Sequence, residues 1–516
     1  MKYLFVLAIL VFGMLYANGD LPPVTRDPSN QRLIYYHDYI KEHPPSELHV
    51  SKIYADRIDS SPNDVLVIVE ERLYNSLSAV LDVYKDDLQD EGFKVTIITA
   101  DGGTPEALKQ VIINNDPAYV FMVGNLPIAW YEMDEFFDGK SDYTNFPIDL
   151  FYMDLNGTWA DTDTNGMYDN HSGALEADIS FGRISADKMT LPWEGNEQPT
   201  ESEILINWFN KVHNYRKLPP RYDFESLVWI DDDWQYWGNE WSNDVGKAYK
   251  TRTTVYDTSQ TTKTDYVSRI RASSNNKYEH LLFCCHSGPN GHAITYRGAY
   301  QWLYNRELKD IVPQIAFYNL FCCSIARYTE SNYMAGWYAM QKTYGLLSIG
   351  STKTGAMLEF NDFYTPLGEG KTFGESFKIW AIENMESGAG SQHESQSWFY
   401  GMTIIGDPTL KIAEHQNDFT DRMISSKVPF RFTLSVNPNP VRTEAVFKFN
   451  IRKPGLTEVN VYNILGKLVH RETINTRNSG LQNRIFKTGN MNPGRYQVLI
   501  KLDGEVLGSK GFIVLK

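Results

Sequence analysis

The four cysteines of the chain stand as two adjacent pairs, Cys284-Cys285 and Cys322-Cys323. Each pair closes an apolar run of strand length, Leu281 to Phe283 before the first and Ile315 to Phe321 before the second. A run that is apolar throughout and stops on small or polar residues reads as a parallel strand buried on both faces. His286 follows the first pair directly, and Cys323 ends the second. In an open α/β sheet, ligands bind beyond the carboxyl ends of the strands. If the two strands are neighbours, an imidazole and a thiol emerge side by side as base and nucleophile. The chemistry of such a pair is acyl transfer, as in a cysteine peptidase.

Adjacent strand residues point to opposite faces, so only one cysteine of each pair shares a face with the dyad. A cross-strand disulfide between the pairs is geometrically open. A zinc site is the other structural use of four cysteines, although its paired ligands usually stand two or more residues apart. Gly288 and Gly291 let the backbone turn after His286 and bring N–H groups toward a ligand. Their neighbour His292 is the fallback base, with a plain loop histidine as the preferred reading. A third run, Leu346 to Gly350, ends in Ser351-Thr352-Lys353 on the same expected edge.

Two acidic stretches add to the candidate chemistry. Asp231, Asp232 and Asp233 follow the strand-like Ser226 to Ile230 and either face a basic substrate side chain or form a solvated turn. In Asp161-Thr162-Asp163-Thr164-Asn165-Gly166-Met167-Tyr168-Asp169, oxygen ligands alternate and precede a glycine. Asp161, Asp163, Asn165 and Asp169 match the first, third, fifth and ninth positions of a calcium loop. Ser172 stands where the closing acid belongs, and Glu176 is its substitute. The expectation is a structural calcium ion, with a plain Asx-rich loop as the other reading.

The elements that position these residues begin at Asn63. Val65 to Val69 reads as a strand and Leu73 to Leu88 as a helix. Lys94 to Ile98 (strand), Pro105 to Ile113 (helix) and Tyr119 to Val123 (strand) follow. This alternation predicts a parallel sheet covered by helices. No glycine-rich phosphate fingerprint follows Val69, which argues against a nucleotide site. Helices are also expected over Glu201 to Tyr215 and Phe373 to Glu383. Pro219-Pro220 marks a boundary. After a polar linker the pattern turns all-β, with period-two alternation in 446–449, 457–462 and 495–500.

Composition sets the outer limits. The 516 residues are 42% hydrophobic and 22% charged, a globular balance. The net charge of −15 argues against a nucleic-acid partner. Residues 431–516 carry +9, which leaves −24 on the rest and marks the tail as a separate module. Lys2, the apolar run Leu4 to Leu15 and the small residues after it read as a secretory signal peptide. No other stretch is long and apolar enough to span a bilayer, so the mature form is expected to lack a transmembrane span.

With these residues in place, 63–413 resembles the gingipain family of caspase-like cysteine peptidases. The resemblance is carried by His286-Ser287-Gly288, the Cys323 strand end, Asp178 to Ile184, Gly350 to Lys353 and Gly406-Asp407-Pro408-Thr409-Leu410. It implies a secreted endopeptidase with Cys323 as nucleophile and His286 as general acid/base. Gly288 and Cys323 would supply oxyanion N–H groups, and cleavage would follow basic residues, with Asp231 to Asp233 as candidate partners. Two features depart from the pattern: Ser287 separates His286 from Gly288, and Cys322 competes for the nucleophile's role. Tyr328, five residues beyond Cys323, favours Cys323.

The tail resembles the sorting domain of type IX secretion cargo through Leu434 to Pro440, Val461 to Lys467 and Pro493 to Tyr496. That implies type IX machinery as a partner and export through the periplasm and outer membrane to the surface or medium. A carbohydrate-binding or adhesive sandwich is the other reading of this tail.

The expected fold is α/β, a caspase-like parallel-sheet sandwich in two subdomains followed by a small all-β sandwich. The divisions are a signal peptide (1–19), a leader or strap (20–62), a first subdomain with the calcium loop (63–200) and a catalytic subdomain (201–414). A linker (415–430) and the sorting domain (431–516) complete the chain. A protein or peptide substrate follows from the peptidase reading. The alternatives are a catalytically silent caspase-like surface adhesin or binding protein, and a metal or redox protein using the paired cysteines.

Overall fold

The computed structural model describes residues 21–29, 31–56, 62–173, 175–218, 222–271, 278–416, 434–451, 455–464, 467–476, 480–489 and 491–515. The signal peptide, Pro219-Pro220 and the linker's core lie outside these residues. The chain divides into two compact units, Met1–Phe419 and Thr420–Lys516.

The first unit is built on one eleven-stranded sheet. Its strands in chain order are β1 (His49–Ala55), β2 (Asp64–Glu70), β3 (Lys94–Asp101), β4 (Tyr119–Val123), β5 (Ser180–Ile184), β6 (Asp223–Ile230), β7 (Arg252–Val255), β8 (Tyr278–Cys284), β9 (Phe317–Phe321), β10 (Leu347–Ser351) and β11 (Met402–Ile405). Their order across the sheet is β1-β3-β2-β4-β5-β11-β10-β9-β8-β6-β7. Neighbours run parallel except at two places: β1 is antiparallel to β3, and β10 is antiparallel to β11. The second exception divides the sheet. Strands β2 to β5 and β11 run one way, and β6 to β10 run the other. The sheet is thus continuous across the two expected subdomains, and β11, from the second, runs with the strands of the first.

Strands β2, β4, β8 and β9 are buried over nearly their whole length, as continuous Val/Ile/Leu/Phe runs require when helices cover both faces. The helix Glu71–Asp90 buries Leu73, Leu77, Leu81, Tyr84 and Leu88 at helical spacing. The helix Glu201–Lys217 starts on a capping box formed by Thr200 and Glu203 and buries Ile204, Leu205, Trp208, Phe209 and Val212.

Arg216, near the end of that helix, ties three segments together. Its guanidinium donates to Glu91, to Asp407 at 2.7 Å and to the Thr409 hydroxyl at 2.7 Å. The Arg216 and Asp407 side chains are both fully buried. This explains Gly406-Asp407-Pro408-Thr409 as a structural motif. Gly406 has φ +139°, a conformation L side chains avoid, and its carbonyl lies where a β-carbon on Gly182 would stand.

The second unit is a small β-sandwich, as the alternation predicts. One sheet has three strands (Leu434–Asn437, Glu444–Ile451, Gly480–Lys487) and the other four (Leu468–Thr476, Gly455–Asn463, Gly494–Leu502, Glu505–Val514). Val441, Phe447, Phe449, Val461, Val498, Ile500 and Phe512 fill the space between them.

Because Arg216 has no access to water, removing its partner leaves a buried charge partly uncompensated. Asp407→Ala should cost about 3–5 kcal/mol of stability. A drop in the denaturant midpoint with the slope unchanged is the expected result. An unaltered midpoint would show that Glu91 alone satisfies the guanidinium.

Candidate active site

Four parallel neighbours, β6, β8, β9 and β10, deliver their carboxyl ends to one edge of the sheet. The register of β8 on β9 pairs Phe283 with Leu320 and Cys284 with Phe321. Continued by one residue and then another, it sets Cys285 beside Cys322 and His286 beside Cys323. Alternation then sorts the four side chains into an outer pair and an inner pair.

The outer pair is His286 and Cys323. Beyond Cys323 the chain turns sharply: Ser324 has φ +49°, and its N–H donates to the Lys353 carbonyl at 2.9 Å. His286 opens a three-stranded antiparallel sheet (His286–Gly288, Gly291–Tyr296, Ala299–Tyr304) that folds over the edge. Its ring packs on Trp234 and Tyr300. Ser287, the residue that interrupts the expected His-Gly pair, donates its hydroxyl to the Cys323 carbonyl at 2.7 Å. It fastens the two strand ends to each other.

Asp233 supplies a third member that the sequence pattern did not assign. Its carboxylate lies 2.8 Å from His286 Nε2. The hydrogen bond to His286 holds the Asp233 carboxyl below the usual aspartate range. The other two acids of the run have different partners. Asp231 is buried and accepts N–H groups from Thr295 and Asp232, and burial drives its carboxyl well above the usual range. Asp232 accepts from the Thr261 hydroxyl, and burial raises it as well. The structure thus brings Asp233 to the imidazole and gives Asp231 and Asp232 other partners.

An extended segment of the chain's own N-terminal region crosses the dyad. The Cys323 thiol donates to the Thr25 carbonyl at 2.7 Å, and the Thr25 hydroxyl lies 2.9 Å from the same sulfur. The Arg26 N–H donates to His286 Nδ1 at 2.8 Å, and Ser287 N–H donates to the Arg26 carbonyl at 3.1 Å. The peptide group joining Thr25 to Arg26 therefore spans the space between thiol and imidazole. With Nδ1 accepting, His286 carries its proton on Nε2, directed at Asp233. Trp234 Nε1 holds the Pro23 carbonyl at 2.6 Å, upstream of the crossing. Downstream, the Asp27 carboxylate lies against Gly288, 2.5 Å from where a β-carbon would be, so a larger residue there would displace it. Burial under this strap pushes the Cys323 thiol up to about 12.

The inner pair is Cys285 and Cys322, and His292 joins it rather than the dyad. Cys285 Sγ lies 3.4 Å and Cys322 Sγ 3.9 Å from His292 Nδ1. All three side chains are fully buried. Burial opposes ionisation of Cys322, but the hydrogen bonds from Cys285 and His292 outweigh it and lower its pKa, while burial raises that of Cys285. The inner thiol is thus the more acidic of the two candidates, and both are fully buried.

The acidic loop gathers differently from the sequence expectation. Asp161 accepts the N–H groups of Asn165 and Gly166, and Asn165 Oδ1 accepts that of Met167. Asp163 and Asp169 converge with Glu132, which comes from the strand Trp130–Phe137, and their carboxylate oxygens lie within 4.8 Å of one another. Glu176 is exposed and stands outside this group.

A family model described as Peptidase family C25 matches residues 58–413, and one described as Secretion system C-terminal sorting domain matches residues 435–514. No curated protein matches the chain. Among solved structures, dimeric latent PorU from Porphyromonas gingivalis is 9% identical, with TM-score 0.29. That match covers 88% of this chain, and this chain spans only 43% of the PorU chain. The sulfur carrier protein SoxY from Chlorobium limicola f thiosulfatophilum is 10% identical with TM-score 0.13, over 19% of this chain and 96% of that one.

The raised Cys323 pKa has a direct consequence for reactivity. A thiol at about 12 is only about one part in 10⁴ thiolate at pH 8, and the thiolate is the reacting form. Iodoacetamide labelling of Cys323, followed by peptide mass spectrometry, should be very slow and rise about tenfold per pH unit up to pH 10. Arg26→Pro deletes the N–H that binds His286. This variant should label at least tenfold faster at pH 8, and equal rates would mean that the strap does not control the thiol.

Proposed function

The chain belongs to peptidase family C25 and carries a type IX secretion sorting domain that marks it for export, and on that premise we propose that it is a secreted cysteine endopeptidase held in a latent state. Cys323 is the nucleophile, His286 the general acid/base and Asp233 the residue that orients the imidazole. The observation that carries this reading is the Thr25–Arg26 peptide group lying across the dyad, carbonyl on the thiol and N–H on the imidazole. A peptide substrate would present the same two groups to the same two side chains.

In the latent state the geometry is unreactive for two reasons. The thiol keeps its proton and offers it to the carbonyl oxygen, so no thiolate faces the carbonyl carbon. The imidazole accepts the amide N–H, where catalysis needs it to donate. When the strap leaves, Cys323 regains water and His286 can take its proton. The thiolate then attacks the scissile carbonyl carbon, and His286 returns the proton to the leaving amine nitrogen. The thioester that remains is hydrolysed by water. Asp233 holds Nε2–H throughout and stabilises the imidazolium. Gly288 and Cys323 N–H groups are the proposed oxyanion donors.

Of the acids that the resemblance offers for a basic side chain, Asp231 is buried and Asp233 is engaged with His286, so the proposal stops at endopeptidase. The competing nucleophile, Cys322 with His292, makes none of the contacts to the Thr25–Arg26 peptide group that Cys323 and His286 make.

A structural calcium ion on Glu132, Asp163 and Asp169, with Glu132 standing in for Glu176, completes the proposal. What supports this reading is that the three carboxylates offer oxygen ligands within 4.8 Å of one another, the donor type a hard cation takes.

Activity should appear on a peptide library once the strap is nicked by limited proteolysis. Cys323→Ala should abolish it, and Asp233→Asn should lower kcat by about 10²-fold and shift its pH profile. Activity retained in Cys323→Ala would refute the assignment. No cleavage by nicked wild type would point to the silent scaffold. For calcium, saturating the site at 100 times its Kd stabilises by about 2.7 kcal/mol. The Tm should therefore rise with calcium in wild type but not in Asp163→Asn, and a Tm indifferent to calcium would remove the ion from the proposal.

A further inference from the structure

We propose that Cys285, Cys322 and His292 form a buried site for a thiophilic divalent cation, zinc, that pins together the two strand ends bearing the dyad. The distances carry the inference. Cys285 Sγ and Cys322 Sγ are 3.8 Å apart, and His292 Nδ1 lies 3.4 Å and 3.9 Å from them. A tetrahedral zinc ion with its usual bond lengths to sulfur and imidazole nitrogen sets sulfurs about 3.8 Å apart and sulfur from nitrogen about 3.6 Å. The three ligand atoms already stand at the corners of such a polyhedron.

The surroundings fit the same ion. His292 Nε2 lies 3.0 Å from the Tyr338 hydroxyl, which lies 2.9 Å from that of Tyr266. An imidazole that donates Nε2–H to a fixed oxygen presents its Nδ1 lone pair in a set direction, the outer support that metal-binding histidines use. Phe283 and Tyr338 wall the ring on two sides. Two thiolates, a neutral imidazole and a divalent cation sum to zero charge, which a fully buried site requires. The Phe283 carbonyl, 3.8 Å from Cys322 Sγ, is a fourth polar atom at the cluster. Binding is not a redox step: each of two S–H bonds gives up its proton to solvent, two Zn–S bonds form, and the imidazole adds its lone pair.

Cys285 immediately precedes His286, and Cys322 immediately precedes Cys323. An ion shared by the inner pair would fix the separation of the outer pair from the opposite face of the strands. The ion site itself does not depend on the peptidase reading, and only this positioning role rests on it.

Metal analysis of the full-length wild-type chain, purified without chelators, should find about one zinc per chain. X-ray absorption at the zinc edge should show two sulfur neighbours near 2.3 Å. Cobalt exchange should add thiolate-to-cobalt charge-transfer bands in the near ultraviolet. Cys285→Ser and His292→Ala should lower zinc content at least tenfold, whereas Cys284→Ser, on the other face, should keep it. After chelation and denaturation without reductant, all four thiols should titrate. Two missing thiols would identify a Cys285–Cys322 disulfide and overturn the proposal. So would zinc below a tenth of an equivalent after incubation with the metal, or sulfur-free coordination in wild type. Both wild-type readouts hold even if a variant fails to fold.

Discussion

The parallel register of β8 on β9 decides the chemistry of this molecule. Each strand ends on two chemically capable residues, and the period of two sends one of each pair to either face. In the observed register, Cys285 and Cys322 turn inward to His292, and His286 and Cys323 turn outward to the strap. Slipping one strand by a single residue would exchange faces and set an inner thiol against an outer imidazole. What holds the register is the burial of both strands among apolar neighbours on both sides, reinforced at the edge by Ser287 bonding the Cys323 carbonyl.

Two thiol–imidazole groupings therefore lie back to back, and electrostatics alone would choose the wrong one. Hydrogen bonds from Cys285 and His292 make the inner Cys322 acidic, whereas the outer Cys323 is pushed up by burial under the strap. Reactivity needs access as well as a thiolate. The inner group is enclosed by β8, β9 and the aromatic wall, so its acidity serves coordination better than attack. The outer group is crossed by a segment that is not part of the sheet.

The strand and helix order was legible because each element carries its own periodicity, and Asp64–Glu70, Pro105–Asn115 and Glu201–Lys217 extend the expected runs by only a few residues. The His286–Cys323 pairing was legible because both residues end apolar runs. What was not legible depends on contacts distant in sequence. Nothing local says that β10 and β11 pair antiparallel, so the reversal that joins the halves into one sheet was invisible. Asp233 reaches His286 because β6 is the neighbour of β8, a fact of strand order. The crossing at Thr25 and Arg26 has no periodicity, since its partners lie some 260 to 300 residues away. Glu132 likewise joins Asp163 and Asp169 through folding, whereas Glu176 fitted only the spacing.

How firmly the strap is held follows from the kind of contacts it makes. Around the dyad they are mostly backbone hydrogen bonds, each worth about 1 kcal/mol net. The Arg26–Asp138 ion pair is solvent-exposed, with side chains 63% and 44% accessible, and such a pair contributes about 0–1 kcal/mol. Ordering an extended segment costs about 1–2 kcal/mol for each residue fixed. As a free peptide the segment would bind weakly. It stays because the helix Tyr36–Glu42 and strand β1, which pairs with β3, tether it to the sheet's far half and keep its effective concentration in the millimolar range. Cutting the chain between the crossing and that helix converts a tethered occupant into a dilute one without breaking a single contact at the dyad. The latch is thus held by connectivity more than by affinity.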